Sequence, residues 1–235
     1  MRPSPHVPAY DGHSPFPQAA QHPAVHTRQV VVTATIVLIP FAALAAGAWL
    51  AWGNGITLTD LLLAAGFYII TGFGVTVGFH RLLTHRSFTA RPWLRATLAV
   101  AGSMSFQGNV IDWVAVHRRH HAFTDRPGDP HSPYRYGAHL GGQLRGLLHA
   151  HLGWLFTGPP VPAERYAPDL LDDPMMVRIT RAFPALCAAS LLLPFVAGWA
   201  ISGSLYGGLT ALVWAGPVRI ALLQHVPGAS TPCAT

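Results

Sequence analysis

Long apolar runs with little or no charge constrain this chain more than any other feature. Residues 30–52 (VVVTATIVLIPFAALAAGAWLAW) hold no charged side chain, and about 20 such residues suffice to cross a hydrocarbon layer of roughly 30 Å. Three further runs follow, at 60–80, 179–201 and 205–223. The turns inside the two pairs, GNGITLT and SGS, are short, whereas about a hundred polar residues separate the pairs. Backbone polar groups in hydrocarbon must be satisfied within the segment, so these runs are expected to be helices. The expected fold is all-α and integral to the membrane: four transmembrane helices in two hairpins, with a helical cap formed by the middle segment. Pro40 is positioned to kink the first span.

The charge distribution sets an orientation. Charged residues make up 10% of the chain and mean hydropathy is +0.34, against about 25% charged in a soluble domain. All 15 basic residues are Arg. Most lie in the middle segment, Arg28 flanks the first span, and the short turns have none. The positive-inside rule then places both termini and the middle segment in the cytoplasm. The Arg are spread between apolar runs with no basic stripe, which argues against a nucleic-acid partner. Cys187 and Cys233 have no CxxC or zinc-like spacing, so no disulfide framework is expected.

Residues 1–28 are rich in Pro, His, Gln and Ala with no apolar period, the composition of a disordered tail. The apolar run that follows is too long for a signal peptide. Residues 93–115 are interrupted by Ser, Gln, Gly, Asn and Asp; they suit one helix at the interface or under the polar cap better than a fifth span. Residues 124–137 read as a Pro/Gly-rich loop. Residues 146–157 read as an amphipathic piece docking back on the membrane.

Histidine carries the chemistry, with 14 copies. His117, His120 and His121 stand at i, i+3 and i+4, one face of a helix, with neighbouring Cβ atoms about 5–6 Å apart. Three imidazoles projecting into one space suit a transition metal; a solvated basic face shared with Arg118 and Arg119 is the alternative. His80 and His85 are five residues apart, and on a straight α-helix they diverge by roughly 140°. They converge only if the helix ends or bends between them, and interfacial anchoring would explain them equally well. His6, His13, His22 and His26 lie in the tail. His131, His139, His149 and His151 match no cluster and are expected at the surface or an interface, and His225 at the end of the last span.

HRLLTH followed about thirty residues later by HRRHH, with apolar spans on either side, resembles the membrane fatty acid desaturases, specifically their acyl-CoA Δ9 (stearoyl-type) branch. The likeness extends through GNVIDWVAVHRRHHAFTDRPGDPHSPYRYG and HAHLGWLF, over residues 58–226. It implies a non-haem di-iron centre with His80, His85, His117, His120 and His121 as ligands. That centre would use O₂ to place a cis double bond in a long-chain acyl-CoA or acyl-lipid. Asn109, Asp112 and Trp113 would lie near the substrate or behind the ligands. Asp112, Asp125 and Asp129 are the nearest carboxylates able to orient imidazoles, although turns and helix caps account for them equally. No cytochrome or flavin motif is visible, so electrons would come from a ferredoxin-like or similar donor.

The family's third histidine box is expected beyond the fourth span. Here LLQHV continues as PGASTPCAT. A coding string for Val-Thr-Trp-Ser-Ile-Asn-Ser-Val-Cys-His-Met with one cytosine deleted translates as Val226 to Thr235 of this chain followed by a stop. Residues 227–235 are therefore read as a frameshifted tail after an incomplete desaturase domain at 29–226. Five histidines fall short of two iron sites needing about four to six donors each. A related hydroxylase or ketolase, and a non-catalytic truncated pseudoenzyme, are the competing readings.

Overall fold

The structure is a computed structural model that describes residues 34–35, 38–40, 42, 44–49, 55–124, 129, 132, 136, 140–151, 153–156 and 161–225. The tail at 1–28, most of the loop at 124–137 and the segment 227–235 lie outside the described residues. The first expected span is described only in part, within an apolar helix Leu38–Trp49.

Among the described residues every regular element is helical. Helix α1 (Leu58–Phe73) starts at a reciprocal cap. The Asp60 backbone N–H donates to Thr57 Oγ1 at 3.1 Å, and the Thr57 N–H donates to the Asp60 carboxylate at 3.2 Å. This satisfies amides that a helix start otherwise leaves unpaired. At its far end α1 continues without a break as a π-helix, Gly74–Thr84. Next come α2 (Pro92–Ser103), α3 (Val110–Phe123) and α4 (Leu140–His151), the last followed by a 3₁₀ turn at Gly153–Phe156. Three short helices succeed them: α5 (Ala163–Tyr166), α6 (Pro168–Leu171) and α7 (Pro174–Arg181). The chain then runs through α8 (Phe183–Ser202), α9 (Leu205–Val213), a π-turn at Trp214–Val218 and α10 (Arg219–His225).

Among the described residues, three helical stretches are long and apolar enough to cross a membrane: Leu58–Thr84, Phe183–Ser202 and Leu205–Gln224. They correspond to the second, third and fourth expected spans, with shifted ends. Residues 179–181 belong instead to α7, because the chain breaks at Ala182 and Pro184 starts α8. Leu61, Leu62, Ile69, Ile70 and Phe73 on α1, with Leu192, Leu193, Val196 and Trp199 on α8, are exposed. Large apolar side chains turned outward along such helices suit lipid rather than water.

Helices α8 and α9 reverse at Gly203, whose φ of 66° needs the left-handed freedom of glycine. They then pack along Gly198, where an added Cβ would run into Ala211. Arg219 fastens these helices to the rest. It is 1% exposed, and it donates to Thr71 Oγ1 on α1 (3.2 Å), Ser190 Oγ on α8 (2.7 Å) and the Met104 carbonyl after α2 (3.2 Å). A buried guanidinium is tolerable only when such acceptors replace water.

The single helix expected over 93–115 is two helices, α2 and α3. The chain breaks between them because Phe106 (φ 66°) and Gly108 (φ 121°) adopt left-handed backbone. Asn109 then caps α3, its Oδ1 accepting from the Asp112 N–H at 3.0 Å. The amphipathic piece expected at 146–157 also differs. Its helix begins at Leu140 and ends at His151.

Under the His80 end of the continuous rod Leu58–Thr84, formed by α1 and the π-helix, Phe79, Leu82 and Leu83 interlock with Val110, Ile111, Val114, Ala167, Leu170, Met176 and Ile179. The rod lies directly on α2. A Cβ on Gly74 would strike the backbone of Ala101 and Gly102, and one on Gly78 would come within 2.9 Å of Leu98 Cβ. Gly74→Ala is therefore expected to cost about 1–3 kcal/mol, as overpacked cores do. Thermal unfolding in detergent checks this, with Gly66→Ala as a control because nothing lies near that position.

Candidate metal centre

An α-helix cannot bring His80 and His85 together. Here the helix widens and ends between them, with Thr84 its last residue and His85 its C-cap. In a π-helix each N–H reaches the carbonyl five residues back, so residues five apart fall nearly in line. The His85 N–H donates to the His80 carbonyl at 3.0 Å, and Thr84 Oγ1 donates to the Phe79 carbonyl at 2.8 Å. The two imidazoles meet edge to face, with Nε2 atoms 3.0 Å apart. The helix end expected between the two histidines is present, and the π-helical widening before it is what the spacing did not reveal.

On α3, His117 and His121 share a face and hold their Nε2 atoms 3.2 Å apart. The packing of α3 on the rod sets the two pairs against each other. One ligand atom from each of His80, His85, His117 and His121 lies within 4.8 Å of the others. His80 and His117 rings are 4.8 Å apart, as centroids, and His85 and His121 rings 4.5 Å.

His120 stands beside this group of four. Its Nδ1 donates to Asp129 Oδ1 at 3.0 Å, and the Asp129 side chain is fully buried. A carboxylate there fixes the tautomer that leaves Nε2 as an electron-pair donor. Trp113 stacks on His117 at 4.7 Å and is itself braced by Phe79 at 5.4 Å. Asn109 and Asp112 hydrogen-bond each other at 2.6 Å as the cap of α3, and Asp112 is exposed. Of the expected orienting carboxylates, Asp129 reaches a ring, Asp112 serves the cap, and Asp125 lies outside the described residues. Among the histidines outside the clusters, His149 departs from expectation. It is buried, with its ring edge-on to Tyr136 at 5.7 Å, because Gly153 leaves room for it. His151 is exposed, and His131 and His139 lie outside the described residues.

Arg118 is not part of a solvated basic face. Its side chain is 15% exposed. It forks onto both Asp169 oxygens at 2.6 and 3.1 Å, and also donates to the Leu83 carbonyl at 2.6 Å and the Tyr166 carbonyl at 3.0 Å. Arg86, one residue past His85, reaches Asp169 at 2.8 Å. Sequence spacing could not reveal this group, since Asp169 lies 51 positions from Arg118; the Arg residues next to a histidine in HRRHH and in THR were the only hint.

The donors fit a metal. Two neutral imidazoles whose Nε2 atoms face each other at 3.0 Å can share one proton at most, and two such pairs converge. Clustered imidazoles are suited to first-row transition ions. The fold and the site thus define an all-helical protein with membrane-length spans and a four-histidine cluster at the end of one of them.

Comparison with known proteins supplies the family. The family model for fatty acid desaturases matches residues 57–229. A hex-5-enoyl-(acyl-carrier protein) acetylenase of Moorena producens (strain JHB) is 39% identical over 178 residues, 75% of this chain and 56% of that one. The sn-1 stearoyl-lipid 9-desaturase of Anabaena variabilis is 35% identical over 151 residues, covering 63% and 51%. Stearoyl-CoA desaturase 5 of Homo sapiens is 35% identical over 150 residues, covering 61% and 42%. The chain belongs to the fatty acid desaturase family. It spans about half the length of the curated relatives it matches.

Asp169 links electrostatics to stability. Burial raises its carboxyl, but hydrogen bonds and charge from Arg118 and Arg86 outweigh that and hold it below the ordinary range. Its ion pairs therefore stabilise the fold above the unfolded value, about 3.9, and the contribution is lost as pH falls through the folded value. Wild-type protein and Asp169→Asn are expected to converge in thermal midpoint as pH drops from about 6 to below that range. A gap that persists at the acid end would contradict the assignment.

Proposed function

We propose that this chain carries the metal-binding part of an O₂-dependent acyl desaturase that places a cis double bond, at the Δ9 position, in a long-chain acyl-lipid or acyl-CoA. The observation behind this is the convergence of two histidine pairs, from two different helices, at the end of a membrane-length rod. The membership of the chain in the desaturase family supports it. The proposed domain is residues 29–226.

The proposed cofactor is a non-haem di-iron centre, with His80, His85, His117, His120 and His121 as ligands. Iron bound there would supply the O₂-activating power that removing hydrogen from an alkyl chain demands and that side chains lack. The protein's own share is positional. Asp129 holds the His120 tautomer, Trp113 stacked on His117 fixes that ring, and Phe79 with Trp113 forms an apolar wall beside the cluster. Such a wall suits an acyl chain. Five imidazoles do not complete two sites of about four to six donors, so a full pair of irons draws on donors beyond these.

The Arg asymmetry supports a cytoplasmic His cluster and cytoplasmic termini in a multi-pass protein. Electrons would arrive from a separate ferredoxin-like donor. The test is iron per chain together with product analysis after reconstitution in lipid. About two irons per chain and an alkene product would favour the desaturase; an alcohol would indicate a hydroxylase, and near-zero iron a truncated pseudoenzyme. His117→Ala is expected to abolish both iron binding and product.

A further inference from the structure

We propose that Asp169 is a positioning residue for the histidine cluster, joining the end of the first-box helix to the second-box helix through Arg86 and Arg118. The inference rests on the metal reading above. Asp169 touches no histidine. Its two oxygens instead take the guanidinium that follows His117 and the guanidinium that follows His85.

Each contact sits where it controls a ring. The last carbonyls of a helix lack intrahelical donors, and a helix held by i→i+5 bonds leaves more of them unpaired. The Leu83 carbonyl, two residues before His85, is satisfied from outside by Arg118 at 2.6 Å. A cation is favourable at that helix end for the same reason. Just after His85 the chain turns through Arg86 at φ 50°, a left-handed backbone that residues other than glycine adopt at a cost. The turn is closed by the Ser87 N–H on the Arg81 carbonyl at 3.0 Å, and the Arg86 side chain is held by Asp169 at 2.8 Å. Asp169 thus secures both sides of the π-helix terminus that aims His85.

The carboxylate is itself firmly mounted. It projects from α6, whose neighbours Ala167 and Leu170 are 0% and 1% exposed within the core. Arg118 is committed to four acceptor contacts at once, on Asp169, Leu83 and Tyr166. An Arg–carboxylate fork fixes direction as well as distance, which a single apolar contact would not do.

A matched control lies four residues away. Arg95 pairs with Asp173 at 2.6 Å, but Arg95 belongs to α2, which carries no histidine. If Asp169 were merely one more ion pair of the cap, the two would behave alike.

The full chain in detergent, titrated with Co(II) alone and followed by its visible ligand-field absorption, tests the proposal. Asp169→Asn is expected to weaken Co(II) binding about 10- to 100-fold, the usual cost of losing a group that orients metal ligands. Asp173→Asn is expected to stay within about twofold of wild type while losing similar thermal stability. Should Asp169→Asn not fold, Asp169→Glu keeps the charge, moves the carboxylate by one methylene, and is expected to weaken binding by about tenfold. Wild-type affinity in the Asp169 variants, or equal losses in the Asp169 and Asp173 variants, would overturn the proposal. Absence of Co(II) binding by the unmutated chain, or binding that His80→Ala and His117→Ala leave intact, would overturn the metal reading and this inference with it.

Discussion

The hydrogen bond from the His85 amide to the His80 carbonyl spans five residues rather than four, and the site depends on that difference. With four-residue spacing the two rings point to different sides of the rod. With five they meet at 3.0 Å, and α3 can then present His117 and His121 to them. The wider helix is a costly conformation, so it must be held from outside. Gly74 and Gly78 let α2 press against it, Arg118 satisfies its terminal Leu83 carbonyl, and Arg86 with Asp169 secures its exit. Packing and polar contacts act together here, because each alone leaves a wide helix free to tighten.

The polar groups within the apolar body follow the same logic of complete pairing. Arg219 is almost inaccessible, yet its guanidinium finds oxygens on α1, α8 and the break after α2. Gln107 donates to the Leu223 carbonyl at 3.2 Å, one helical turn further along α10. These contacts fix the α2–α3 break against the membrane-length helices, and α3 begins directly after that break. The orientation of the second histidine pair is thus tied to a guanidinium some distance from it.

Much of the architecture was legible because the hydrophobic period is long and nearly uninterrupted. Long apolar runs with few charges identify Leu58–Thr84, Phe183–Ser202 and Leu205–Gln224 whatever their neighbours do. The His117/His121 pair was legible for a local reason, since i, i+4 spacing on a helix decides the face. The His80/His85 pair was not. Its spacing is wrong for an α-helix, and a π-helix depends on what packs against it. The break between α2 and α3 was likewise hidden, because Phe106 takes a left-handed backbone that its residue type does not advertise.

The sequence by itself determined the apolar helices, the residue types able to hold a metal and the resemblance that the comparisons turned into family membership. Those properties are local or compositional. Tertiary structure decided which histidines meet, that His120 turns aside to Asp129, and that Arg118, Arg86 and Asp169 bind the two boxes together. Those relations join residues as distant in sequence as Arg86 and Asp169, and no local period encodes a distance of that kind. Only the packing of α3 and α6 against the rod brings the groups within reach of one another.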